Sequence, residues 1–376
     1  MSLRQMFPGS IVKPGFNPLA AQTPTYLYNL FSWGLGAYGA LGLGNRTWYS
    51  SPKQVASLTD WLQFSGYYST MAVKTNGTLW GWGSNFAGQL GLGNNTYYSS
   101  PKQVGALTNW SSVAVGSGSV TLATKTDGTL WSWGYGANSQ LGLGNLTSYS
   151  SPKQVGSLTN WSQVTCGRAS YALKTDGTIW SWGPNDYGQL GLNNRTNYSS
   201  PKQIGALTTW ASIKAGGFFC FAIKADKTLW AWGAGADGAL GLGNRTYYSS
   251  PKQVGALTNW SIISPSTVAN FATAIKTDGT MWSWGIGGFG SLGLGNTTYY
   301  SSPKQVGSLA TWRSVSNLGY HVVATKTDST LWVWGDNGAG QLGLGDSISR
   351  SSPVQVGSST TWSNAFGTRN CSFGLG

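Results

Sequence analysis

Acid–base or metal chemistry in this chain would fall to very few side chains. Its acids are ten aspartates with no glutamate, and His321 is the single histidine. Cys166, Cys220 and Cys371 lie far apart, without the spacing of a zinc site. Five aspartates (Asp127, Asp176, Asp226, Asp278 and Asp328) recur at one place in a repeated turn. There, a carboxylate bonding its own backbone explains them without catalysis. Asp186, Asp237 and Asp336 fall elsewhere, and an enzyme would need carboxylates converging in a deep pocket. The expectation is a non-enzymatic protein with no catalytic residue, no metal and no cofactor. An odd number of cysteines argues against a disulfide framework, so buried, quiet thiols are expected.

What positions these residues is a repeat. Trp-Gly pairs begin at Trp33, Trp82, Trp133, Trp182, Trp232, Trp284 and Trp334, 49 to 52 residues apart. Ser-Ser-Pro triplets keep step, with prolines at 52, 101, 152, 201, 251, 303 and 353, and a further tryptophan recurs from Trp61 to Trp362. Periods near fifty, rich in glycine turns and two-residue alternations such as Thr-Leu-Trp-Ser-Trp, point to propeller blades and exclude a helical solenoid. The fourth copy reads as four strands: Pro201–Ile204, Trp210–Ala215, Phe219–Lys224 and Thr228–Trp232. Asp-Gly or Asn-Gly between the last two favours a two-residue hairpin. Asp226-Lys227 and Asp328-Ser329 depart from this and predict more strained or longer turns. After Trp362 the chain supplies no further Trp-Gly strand, whereas Tyr28 to Gly34 matches one. The two ends are therefore expected to complete one blade and leave no open sheet edge.

Trp-Gly followed by Gly-Gln-Leu-Gly-Leu-Gly, as at Trp82 to Gly93 and Trp334 to Gly345, then Pro-x-x-Val and Asp-Gly-Thr-Leu-Trp, resembles the regulator of chromosome condensation repeat. The likeness covers about residues 26 to 376. It implies an all-β, seven-bladed β-propeller closed by one blade shared between the termini; residues 1–25 precede that likeness. It does not fix a function, because one scaffold carries many. The Gly-Trp-Arg-His-Thr motif of the family's plant ultraviolet-B photoreceptors is missing, so the 21 tryptophans are expected to serve packing. Loop lengths are nearly uniform and offer no inserted wedge for nucleotide exchange on a small GTPase.

The formal charge is +13, but twelve of the fifteen lysines are locked to the repeat and spread around a ring. Dispersed lysines serve solubility before they serve a polyanion, so nucleic acid is not the expected partner. No secretory signal or continuous apolar span is visible; the first 25 residues carry four prolines and read as an arm. Its Met6, Phe7, Ile11, Val12 and Phe16 are candidates for docking into another subunit. Asn-x-Thr triplets at Asn45, Asn94, Asn145, Asn194, Asn244 and Asn296 look like glycosylation acceptors but are better explained as loop chemistry.

Where the copies differ is informative. In a four-stranded meander, alternate turns emerge on opposite faces. The Gly-Ala-Leu-Thr-Asn and Thr-Asp-Gly-Thr turns are monotonous. The opposite set varies: Tyr67, Tyr68, Arg168, Phe218, Phe219, Phe271, Tyr320 and His321 in one group of loops, Tyr38, Phe86, Tyr135, Tyr187, Asp237 and Phe289 in the other. Diversified aromatic and polar residues on a rigid scaffold suit recognition of a protein or glycan. The near-verbatim repeats and the Lys13 to Leu19 leader are also similar to propellers of marine bacteriophages. The expected function is display on a virion surface or tail, contacting a host glycan or protein, with the arm fixed to other virion subunits. The alternative is a cytoplasmic propeller binding a small GTPase or chromatin.

Overall fold

The computed structural model describes residues 28–56, 60–317 and 319–376. Among the described residues, twenty-eight strands form seven sheets of four. The sheet that carries Trp232 shows the pattern: β15 (Trp210–Ala215), β16 (Phe219–Lys224), β17 (Leu229–Gly233) and β18 (Tyr248–Gln253) pair antiparallel in that order. Each blade is named here by its Trp-Gly tryptophan. First strands of neighbouring blades meet at the centre, where Val115 N–H donates to Ser65 Oγ at 2.8 Å and Ala215 N–H to Thr165 Oγ1 at 3.1 Å.

The four strands per blade and the shared closure are as expected, but the blade boundary lies one strand away from where the sequence suggests. The Ser-Ser-Pro strand does not open a blade. Tyr198–Gln203 (β14) pairs with Ile179–Gly183 (β13), so Pro201 belongs to the outer edge of the preceding blade. A proline lacks the ladder N–H and suits an outer strand. Closure therefore joins two strands from each end: β27 (Asn364–Gly367) and β28 (Cys371–Leu375) pair with β1 (Leu30–Gly34) and β2 (Tyr49–Gln54).

A single contact, repeated seven times, joins blade to blade. Each Trp-Gly indole is buried and donates Nε1–H to a backbone carbonyl of the preceding blade: Trp82 to Ala40, Trp133 to Gln89, Trp182 to Gln140, Trp232 to Gln189, Trp284 to Ala239, Trp334 to Ser291. Trp33 closes the ring onto Gln341 O at 2.9 Å. The indole needs room, and the glycine two residues after that carbonyl provides it. A Cβ on Gly241 would stand 2.8 Å from Trp284 Nε1, at a φ of +71°.

The hairpins between second and third strands hold three residues, not two. Gly128 N–H returns to Lys125 O, Lys125 N–H donates to Thr129 O, and only the glycine has positive φ, as in a type I turn with a left-handed third residue. Asp127 Oδ1 accepts from both the Thr129 N–H and its hydroxyl, and these bonds hold the carboxylate below its usual range. Lys227 and Ser329 occupy the glycine position at φ of 66° and 62°, so those turns keep their length and carry strain.

The lysines just before these turns are not solvated. Lys74, Lys125, Lys174, Lys276 and Lys326 are buried, and each ammonium lies between two indoles, as Lys326 does at 3.5 Å from the Trp332 ring centre and 4.9 Å from that of Trp312. Burial lowers the affinity of Lys125, Lys276 and Lys326 for a proton. The three thiols are buried as expected. The Asn-x-Thr asparagines cap their own loops, Asn94 Oδ1 taking the Thr96 N–H at 2.9 Å.

Two alanine substitutions separate the indole contact from backbone strain. Gly255 has φ +61° with open space at its Cβ; Gly255→Ala should cost about 1 kcal/mol. Gly241→Ala adds collision with Trp284 and should cost about 3 kcal/mol. Equilibrium denaturation of both variants checks the difference.

Candidate functional site

The two faces sort as the sequence suggests. Loops between first and second strands, and between third and fourth, share one face; the Asp-Gly and Leu-Thr-Asn turns share the other. Ring contacts confirm the first pairing: Tyr38 meets Tyr68 at 5.6 Å, Tyr187 meets Phe218 at 4.9 Å, and Phe289 meets Tyr320 at 5.6 Å. The second is fixed by backbone bonds, such as Trp110 N–H to Gly77 O and Thr126 N–H to Asn109 O.

On the variable face the candidates gather into three groups. Arg369 bonds the Tyr67 hydroxyl at 2.9 Å and lies 4.7 Å from the Tyr68 ring centre, with Tyr38 bridging Tyr68 and Tyr97. Burial raises the Tyr68 phenol against the lowering pull of Arg369. Phe289 and Tyr320 form a second group. The third lines a cavity of about 580 Å³, where Phe86, Arg168 and Phe218 come together with Asp186, and the Arg168 guanidinium covers the Phe218 ring at 4.7 Å. Asp186 is the one carboxylate among the residues lining this cavity. Tyr187 packs on Phe218 from outside that wall.

Three candidates are misplaced by sequence reasoning. Phe219, Phe271 and His321 are buried, because each opens a second strand and turns inward between blades. His321 Nε2 lies 3.0 Å from Ser372 Oγ, and burial pushes the imidazole down to about 4. The asparagines of the other loop group are also internal. Asn85, Asn185 and Asn337 are buried and bond the backbone of their own loops, at a place where the other four blades have glycine. Met6, Phe7, Ile11, Val12 and Phe16 lie outside the described residues.

Sequence reasoning missed Arg369 and Tyr97, since one follows the last repeat tryptophan and the other hides in a repeated Tyr-Tyr-Ser-Ser run. The strain at Tyr38, Asp237 and Phe289, with φ of 60°, 56° and 57°, was also not visible. Non-glycine residues in this conformation mark loop tips whose shape is imposed by their surroundings.

A closed propeller with its diversity on one face defines the class. The chain belongs to the Regulator of chromosome condensation (RCC1) repeat family, whose repeat matches residues 29–73, 76–123, 127–172, 176–223, 226–274, 278–325 and 328–372. No curated protein matches it in sequence. Among solved structures it is similar to Prp20p of Saccharomyces cerevisiae, studied for binding to Gsp1p and histones, at 20% identity and TM-score 0.81, covering 93% of this chain and 91% of that one. A chain in the structure of Kap60 bound to yeast RCC1 (Prp20) matches at 19% identity and TM-score 0.81, covering 100% and 96%. Human WBSCR16 matches at 21% identity and TM-score 0.81, covering 93% and 98%. Such likeness establishes the shared fold. Among the described residues no helix is long and apolar enough to cross a membrane.

The burial of His321 sets an acid response. Its pKa lies near 4 in the folded chain and near 6.5 unfolded, so the unfolded chain binds the extra proton in between. Stability should rise with pH from 4 to 6.5, by roughly 3 kcal/mol from this residue alone. Denaturation midpoints across that window should show the slope in the native chain and a flatter one in His321→Asn.

Proposed function

We propose that this is a non-enzymatic binding protein that presents its variable face to a glycan or protein and is attached through the opposite face. The observation that carries this reading is the segregation itself. Aromatic and charged variety is concentrated on one face, while Tyr28, three residues along the chain from the end of the arm, lies on the other. Asn29 pairs there with Gly376, at the end of β1 and β28 away from the variable loops. Five half-exposed leucines, Leu107, Leu158, Leu207, Leu257 and Leu309, stand on that constant face and supply apolar area for attachment.

The resemblance to marine bacteriophage propellers makes a virion surface or tail the proposed setting, with Met6, Phe7, Ile11, Val12 and Phe16 of the arm meeting other virion subunits. The second reading, an intracellular propeller that binds a small GTPase or chromatin, draws on the likeness to Prp20p, studied for its binding to Gsp1p and histones.

Glycan and protein arrays, probed with the whole chain, test the polarity. A variant carrying Tyr68→Ala, Phe86→Ala, Phe218→Ala and Tyr320→Ala should lose the retained target. A variant with the five constant-face leucines changed to serine should keep it. The reverse result would place recognition on the constant face. Mass spectrometry of purified virus particles should find the chain; its presence only in the host cytoplasm would favour the second reading.

A further inference from the structure

The cavity at the seam of the Trp133 and Trp182 blades holds an unmet hydrogen-bond donor. Its volume, about 580 Å³, falls within the range of roughly 300–1,000 Å³ usual for small-ligand sites. Gln189, 1% exposed, is part of the wall. Its Oε1 accepts the Tyr187 N–H at 2.9 Å, which fixes the amide and leaves Nε2 as the free end, without a partner. The other glutamines at this repeat position are satisfied. Gln89 Nε2 reaches Ser84 Oγ at 3.5 Å, Gln140 Nε2 reaches Gly118 O at 3.3 Å, and Gln341 Nε2 reaches Asp336 Oδ2 at 2.8 Å.

The sequence explains the exception. Pro184 stands five residues before Gln189, where Ser84 and Asp336 stand in their own blades, and it offers no side-chain acceptor. A buried donor left unpaired opposes folding, so an acceptor supplied from outside would be held strongly here. Ser117 Oγ, on the same wall, is a second buried polar atom without a partner.

The rest of the wall names the ligand chemistry. Asn138, Asn197 and Arg168 add donors, Asp186 adds an acceptor, and the rings of Phe86 and Tyr135 supply apolar faces. Arg168 and Asp186 offset each other, so there is no net charge to select a phosphate or sulfate. The wall is concave and mostly polar, unlike the apolar centre of a protein interface. We propose that this cavity binds a neutral saccharide, whose hydroxyls both give and accept hydrogen bonds and whose ring carries an apolar face. The proposal rests on the reading that the variable face is the recognition surface.

The probes are neutral di- to tetrasaccharides of glucose, galactose, mannose and N-acetylglucosamine, offered to the whole chain and read by saturation-transfer NMR, then by calorimetry. At least one should bind. Asp186→Asn and Phe218→Ala should each weaken it about tenfold. Pro184→Ser gives Gln189 Nε2 an internal partner and should weaken binding by a similar factor. Lys304→Ala, exposed on the outer strand of the Trp284 blade, should leave binding unchanged, and matching thermal melts show that all four variants fold. Failure of every probe to bind, or binding indifferent to the three cavity changes, overturns the proposal. An array target lost with the face variant but kept by the cavity variants would overturn the saccharide cavity and leave the face reading standing.

Discussion

Each blade of this ring depends on one hydrogen bond, from the Trp-Gly indole to a backbone carbonyl of the blade before it. The same carbonyl accepts a second donor in several blades: Thr121 Oγ1 at Gln89 O, Ser170 Oγ at Gln140 O, Ser372 Oγ at Gln341 O. Such a carbonyl lies inside the protein, where leaving it unpaired would be costly. The blades cannot bury their faces alone, so the indole both fills the space between neighbours and fixes their register. At the seam, Trp33 repeats the contact across the closing blade, and Arg313 adds bonds to Trp362 O at 2.6 Å and Ser363 O at 2.8 Å. Closure is therefore the ordinary blade contact made once more, with the β1–β28 ladder replacing chain continuity.

That rigidity is what frees the loops. Indoles, glycines and cation–aromatic sandwiches hold the interior and the constant face to nearly one sequence, whereas the variable loops need only leave and rejoin the strands at fixed points. Asn85 and Asn185 show how this is managed, by bonding the loop from within while Phe86 and Tyr187 beside them face outward or pack with their neighbours. The strained tips at Tyr38 and Phe289 extend the same principle, since a firmly held loop can keep a bulky residue in a conformation it would otherwise leave.

The period, the number of blades and the shared closure were legible in the sequence because tryptophan, proline and glycine recur at fixed offsets, each for a steric reason. The two faces were legible because strand alternation dictates them. The blade boundary was not, since Ser-Ser-Pro-Lys-Gln marks a strand without saying which neighbour it pairs with. Nor was the inward turn of Phe219, Phe271 and His321, which all lie opposite the Trp-Gly glycine, one position along the chain from residues that stay in the loop. The lysines misled for a different reason: charge suggests solvent, yet paired indoles take the ammonium inside. The free amide of Gln189 depends on Pro184, a local substitution that acquires meaning only once the glutamine's partners in other blades are seen.

Hydrogen exchange of the whole chain, free and saturated with the target it retains on the arrays, tests the central claim most directly. Protection should appear in the variable loops, at residues 116–119, 135–140, 167–169 and 184–189, with the Thr-Asp-Gly and Leu-Thr-Asn turns unchanged. Protection confined to those turns would contradict the account and make the constant face the one that binds.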